Sequence, residues 1–226
     1  MKKTFLYKEQ INDLVLKVLC ESVEGIDDFV GEIVERHPNF KEHADKLEDA
    51  IKKSGCKKIE FSGFNFPAWG AALHSGVLIN AQVLHQPLPL LLFVIFHEIA
   101  HQYQYQKYGA EKMYEYLKDE ISDEDATKFL YGVEIVADEF GSRKLREFQN
   151  KGYVKSGFVP PSVYKNMSPA SIIKMVQNFK KQIKDNLGDR EMNTENLGEI
   201  LYNWIKDKNI KPNTKPSFVN RFLGNF

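Results

Sequence analysis

Leu90-Leu91-Leu92-Phe93-Val94-Ile95-Phe96-His97-Glu98-Ile99-Ala100-His101 is the stretch on which the reading of this chain turns. Leu91 to Phe96 is apolar on every face of a helix, a pattern that means burial rather than a surface position. One helix is expected from about Leu90 to Tyr108, with Gly109 as its stop. His97 and His101 are four residues apart, so on a helix their imidazoles share one face a turn apart. Two imidazoles so placed can reach one zinc ion at roughly 2.0–2.1 Å. Glu98 projects beside the open coordination position and can act as a base toward zinc-bound water, whose pKa the metal lowers to about 7. With 6 His in 226 residues, a chance HExxH is expected on the order of one time in a hundred. The bland alternative is two core histidines without a metal. It leaves polar groups buried next to a wholly apolar run, at a cost of kilocalories each.

A third ligand must come from elsewhere in the chain. Gln104 and Lys107 stand where an HExxHxxGxxH extension would need Gly and His, and no histidine follows His101. A carboxylate is required, and Glu134 is the best placed. Glu134-Ile135-Val136-Ala137-Asp138 puts two carboxylates on one helix face. Glu134 can ligate while Asp138, one turn on, accepts from a ligand imidazole and fixes its tautomer. Ala137 and Gly141 let the two helices come close. Glu139, Glu120 and Asp123 are weaker alternatives that read better as surface charges, and His37, His43 and His85 read as solvent-facing or structural. The Tyr103 and Tyr105 pair is assigned no chemistry.

HExxH followed some thirty residues later by ExxxD resembles the gluzincin group of zinc peptidases. Glu134-x-x-Ala137-Asp138-x-Phe140-Gly141, with Gly76-Val77-Leu78-Ile79-Asn80 before the HExxH helix, looks most like the small ImmA/IrrE-type peptidases and minimal gluzincins. The resemblance spans roughly residues 57–150. It implies a zincin-like sheet-plus-helix core, one zinc ion per chain, and peptide bound as an extra strand on the sheet edge. It also implies an oxyanion-stabilising side chain, for which Tyr153, Tyr164, Arg143 and, from upstream, His74 are the candidates. The expected activity is hydrolysis of peptide bonds, with Glu98 as base and then acid. The alternative from another class is a regulatory or protein-interaction protein that keeps the zinc scaffold without turnover. Glu98 argues against it, because a purely structural site needs no base.

Around this core the pattern is mostly helical. Stripes at Ile11–Leu19, at Phe29, Val30, Ile33 and Val34, and from about Lys41 to Lys53 predict three helices. Lys58 to Phe61 and Val77 to Asn80 read as short strands, Phe64 to Pro67 as an extended segment, and Gly70 to Gly76 as turn-prone. A polar helix from about Glu111 to Lys118 follows the HExxH helix. Ser122 opens a long helix to about Phe148, in which Gly132 and Gly141 cost stability unless another helix packs there. After Gly157, Pro160 and Pro161, Ser168-Pro169 opens a helix to about Lys184 and Thr194 another to about Lys208. The expectation is an α+β fold with three segments: helical 1–56, catalytic 57–150, and a helical annex 151–226.

Composition sets the outer limits. At 42% hydrophobic and 27% charged the chain is foldable and free of low complexity. Charged residues from Lys8 to Asp13 interrupt any signal-peptide core, and Leu88 to Phe96 falls short of the roughly 20 residues a membrane span needs. Cys20 and Cys56 form no disulfide framework or metal knuckle. A cytoplasmic protein acting on peptide or protein, without membrane or nucleic-acid partner, is expected. The zero net charge conceals an asymmetry: residues 1–150 carry 18 Lys/Arg against 25 Asp/Glu, and residues 151–226 carry 13 against 6. The basic part is expected to dock on the acidic one.

Overall fold

The computed structural model describes residues 25–63, 68–73, 75–160, 167–188 and 190. Within them the fold is α+β, mostly helical with one small sheet. The chain enters through α1 (Ile26–Arg36), whose buried Ile26, Phe29, Val30 and Ile33 follow the helical period. His37-Pro38 ends it, and a 3₁₀ turn over Pro38–His43 leads into α2 (Ala44–Lys53). Leu47 and Ile51 anchor α2, and Gly55 reverses the chain with φ 73°.

The sheet has strands β1 (Ile59–Ser62), β2 (Gly70–Leu73) and β3 (Gly76–Asn80), in the order β1-β3-β2. β1 runs parallel to β3 and β2 antiparallel to it. β2 corrects the expectation of a turn from Gly70 to Gly76. Gly70-Ala71-Ala72 lacks the branched and aromatic side chains that mark strands, so only pairing with β3 reveals it. All five residues of β3 are buried, as a central strand covered on both faces should be. Val77 and Ile79 join the main core with α1, α2 and the apolar half of α3, while Leu78 joins a second cluster on the opposite face.

The long helix α3 (Leu88–Tyr108) is buried without interruption from Leu90 to Phe96. It stops at Gly109, φ 84°. The polar helix expected after it is broken into a single turn, α4 (Ala110–Met113), and a 3₁₀ turn over Glu115–Leu117. Helix α5 (Asp123–Asn150) starts where Ser122 accepts from the Asp125 N–H, with three acidic residues in its first turn. Ser168 opens α6 (Pro169–Leu187) in the same way. The helices expected over Ile11–Leu19 and from Thr194, and the Phe64–Pro67 segment, lie outside the described residues.

Helix α6 is tied into the rest. Ile172 and Val176 pack with Ala126 and Leu130 of α5, and Ile183 and Leu187 with Leu73, Leu78 and Tyr105. Lys180 donates to the Ile121 carbonyl at 3.1 Å and lies 3.6 Å from Asp123, while Lys184 faces Asp119 at 3.7 Å. Cys56 and Ile59, and likewise Phe148 and Val154, belong to the main apolar cluster. Among the described residues, no helix is long and apolar enough to cross a membrane.

Candidate metal centre

α3 and α5 pack against each other, and at Gly141 the approach is tight. A Cβ added there would stand 3.0 Å from the Phe93 carbonyl oxygen and 3.2 Å from the His97 nitrogen. That approach turns the His97/His101 face of α3 toward the Glu134/Asp138 face of α5. Nε2 of His97 lies 3.1 Å from Nε2 of His101 and 3.1 Å from Glu134 Oε2. Nε2 of His101 lies 3.4 Å from Glu134 Oε1. The four side chains are mostly buried, His97 being 13% exposed and Glu134 12%.

The outer ring atoms explain why the inner ones converge. Nδ1 of His97 is 3.0 Å from Asp138 Oδ1, although its N–H is turned off the line of a good hydrogen bond. Asp138 Oδ2 is buried with no hydrogen-bond partner among the described residues. Nδ1 of His101 is 2.8 Å from Gln104 Oε1. With an acceptor at each Nδ1, both rings carry their proton there and present Nε2 lone pairs inward. Two lone pairs and a carboxylate facing one point repel unless a cation or extra protons sit between them. A tetrahedral zinc with ligands at 2.0–2.2 Å has donor-to-donor edges of about 3.3–3.6 Å. Separations of 3.1, 3.1 and 3.4 Å come within a few tenths of an ångström of those edges. All three ligating atoms fall within 4.8 Å of one another, and the set of two imidazoles and one carboxylate suits a divalent metal.

The chain's own charges distort the acid–base behaviour here. Burial pushes the His97 pKa down, but Asp138 and Glu134 outweigh it and raise it to about 10. His101 is raised as well, Glu134 overcoming burial. Burial opposes ionisation of Glu134, yet the two imidazoles hold it well below the usual carboxylate range. Glu98 goes the other way. It is 7% exposed, and burial lifts its pKa above the ordinary value even though the Ala72 N–H donates to it. Its side chain fits only because residue 70 is glycine: a Cβ there would lie 2.5 Å from Glu98 Cγ.

The other residues singled out in the sequence fare differently. Arg143 is exposed, with its guanidinium 5.4 Å over the Phe140 ring, and it lies nine residues past Glu134, about 13 Å along the helix. Tyr153 packs edge-on to Phe148 and 4.9 Å from the His43 ring, within the main core. Neither is brought to the site. Nine residues of helix put Arg143 on the face opposite Glu134, which spacing alone implies, whereas Tyr153 lies past the helix end, where spacing gives no direction. His74 and Tyr164 lie outside the described residues. Glu120 and Glu139 are exposed, and Asp123 is held by Lys180 and Gln177. His37 meets the Leu84 carbonyl at 3.2 Å, and His85 is exposed.

Three contributors escaped sequence reasoning. Gly70 and the Ala72 N–H seat Glu98, and Gln104 backs His101. Only Gln104 left a signal, a polar residue one turn past His101 on a buried helix.

No known protein family, curated protein or solved structure matches the chain.

Proposed function

We propose that this protein is a zinc-dependent metallopeptidase with a zincin-like core, its metal held by His97, His101 and Glu134. The observation that carries the reading is the convergence of His97 Nε2, His101 Nε2 and the Glu134 carboxylate at tetrahedral-edge spacing. Zinc bound there would lower the pKa of a water in the fourth position and polarise a scissile carbonyl. Glu98 would take the proton from the attacking water and pass it to the leaving amine. Burial raises the Glu98 pKa above the ordinary carboxylate value, which makes it a stronger base toward the attacking water than an ordinary carboxylate.

The sheet edge supports a peptide substrate. Among the described residues β2 is an edge strand, and the Asn80 N–H donates to the Trp69 carbonyl. Alternation along an antiparallel pair then turns Ala71 and Leu73 toward β3, and Gly70 and Ala72 toward the open edge. An extended peptide added at that edge would run its backbone past Glu98.

The test separates ligand from base. The purified chain should bind about one zinc, Glu134→Ala should lose it, and Glu98→Gln should keep it while turnover on an unfolded protein substrate falls about 100-fold or more. A wild-type chain that takes up no zinc sinks the proposal. So does a Glu98→Gln variant that cleaves at the wild-type rate. Wild-type protein that binds zinc yet cleaves no peptide would favour the non-catalytic scaffold instead.

A further inference from the structure

We infer that Gln104 is a positioning residue of the metal site, fixing the tautomer of His101 and locking it to the helix that carries Glu134. The inference rests on the metal-site reading above. Gln104 is 5% exposed, on the inward face of α3 one turn beyond His101. Its Oε1 is 2.8 Å from His101 Nδ1, and its Nε2 donates to the Val133 carbonyl at 3.1 Å. The two ends fix each other. A carbonyl can only accept, so the amide nitrogen must face Val133 and the amide oxygen must face His101. His101 Nδ1 must then be the donor, which leaves Nε2 as the lone-pair atom pointing at His97 and Glu134.

The second bond orients the first. Val133 is the residue before Glu134, so one side chain links a ligand on α3 to the backbone beside the ligand on α5. Asp138 backs His97 across the same helix pair. The two imidazoles are thus supported by different chemistry, a carboxylate for one and a neutral amide for the other. A buried glutamine that merely satisfied the Val133 carbonyl would need no acceptor at His101. The inferred role requires that acceptor, and this distinguishes the two.

The experiment uses cobalt(II), which reports ligand geometry through its visible absorption, added to the full-length chain in competition with a chelator. Gln104→Leu keeps the shape and removes both bonds, and its cobalt affinity should fall about 10–100-fold with an altered spectrum. Gln104→Glu keeps the acceptor and loses the donor. It should recover affinity to within a few-fold of wild type, with the wild-type spectrum. Equal affinity in Gln104→Leu and wild type overturns the inference, and so does a Gln104→Glu variant as weak as Gln104→Leu. If circular dichroism shows Gln104→Leu unfolded, the decision passes to the His101 Nδ1–H proton resonance in zinc-loaded protein. That resonance should move downfield in Gln104→Glu, where the acceptor is charged, and an unmoved resonance overturns the inference. A wild-type chain that takes up no cobalt overturns the metal-site reading itself, and this inference with it.

Discussion

His97 shows how one residue can record the demands of a site. Burial disfavours its charged form, but Asp138 at 3.0 Å and Glu134 at 3.1 Å reverse the sign and lift its pKa to about 10. In a chain stripped of metal by a chelator, the extra proton has a direct effect on stability. A pKa raised from 6.5 in the unfolded chain means that the stabilisation is fully present below pH 6.5 and is lost as pH climbs through about 10. Glu98 has the same sign, its contribution being lost as pH rises from 4.5 through its raised folded pKa. Thermal melts of the stripped chain should therefore show the melting temperature falling between pH 7 and 10. Zinc-loaded protein should resist that fall, because the metal replaces the proton between the same donors. Parallel melting curves for the two forms across this range would contradict the assignment.

The helix pair α3/α5 sets how closely the ligands approach, and its two glycines are not equivalent. Gly141 faces backbone: a Cβ would meet the Phe93 carbonyl oxygen at 3.0 Å and the His97 nitrogen at 3.2 Å, neither of which can swing aside. Gly132 is exposed, with nothing within 4 Å of the same construction. Gly132→Ala should stabilise the protein by about 0.5–1 kcal/mol, since alanine restricts the unfolded chain and suits a helix interior. Gly141→Val should force the helices apart, costing about 1–3 kcal/mol and weakening zinc binding at the same time. Chemical denaturation and zinc titration of the two variants check both signs. If Gly141→Val binds zinc normally, the spacing of the ligands does not depend on this contact.

For the molecule as a whole, the open question is whether α6 is an annex or part of one body. Ile172, Val176, Ile183 and Leu187 are all buried, and full burial of such a side chain contributes about 1.5–3 kcal/mol. The Lys180–Asp123 and Lys184–Asp119 pairs agree with a basic segment docking on an acidic one. The latter pair is exposed, so the apolar contacts dominate. A chain ending at Gly152 exposes Leu130, Met113 and Leu117, which a chain ending at Arg190 keeps covered. The shorter chain should melt at a clearly lower temperature by circular dichroism, or fail to fold. Equal melting temperatures would restore α6 to the status of an independent annex.

What the sequence determined by itself was local in origin. The period of 3.6 put His97 and His101 on one face, and the same period put Glu134 over Asp138. Ser122 and Ser168 announced the starts of α5 and α6, and the apolar run before His97 announced a buried helix. Each of these rests on interactions within a few residues, so spacing alone carries it. Only the tertiary structure decided the rest. β2 exists through its pairing with β3, since Gly-Ala-Ala has no strand preference of its own. Glu98 is seated by an absent side chain at Gly70 and an N–H at Ala72, distant in sequence and unmarked by any motif. Gln104 acquires its partner only when α5 brings the Val133 carbonyl to it, and Tyr153 is held in the main core by its packing on Phe148. Helical spacing fixes which side chains share a face, but which faces meet depends on how the whole core excludes water.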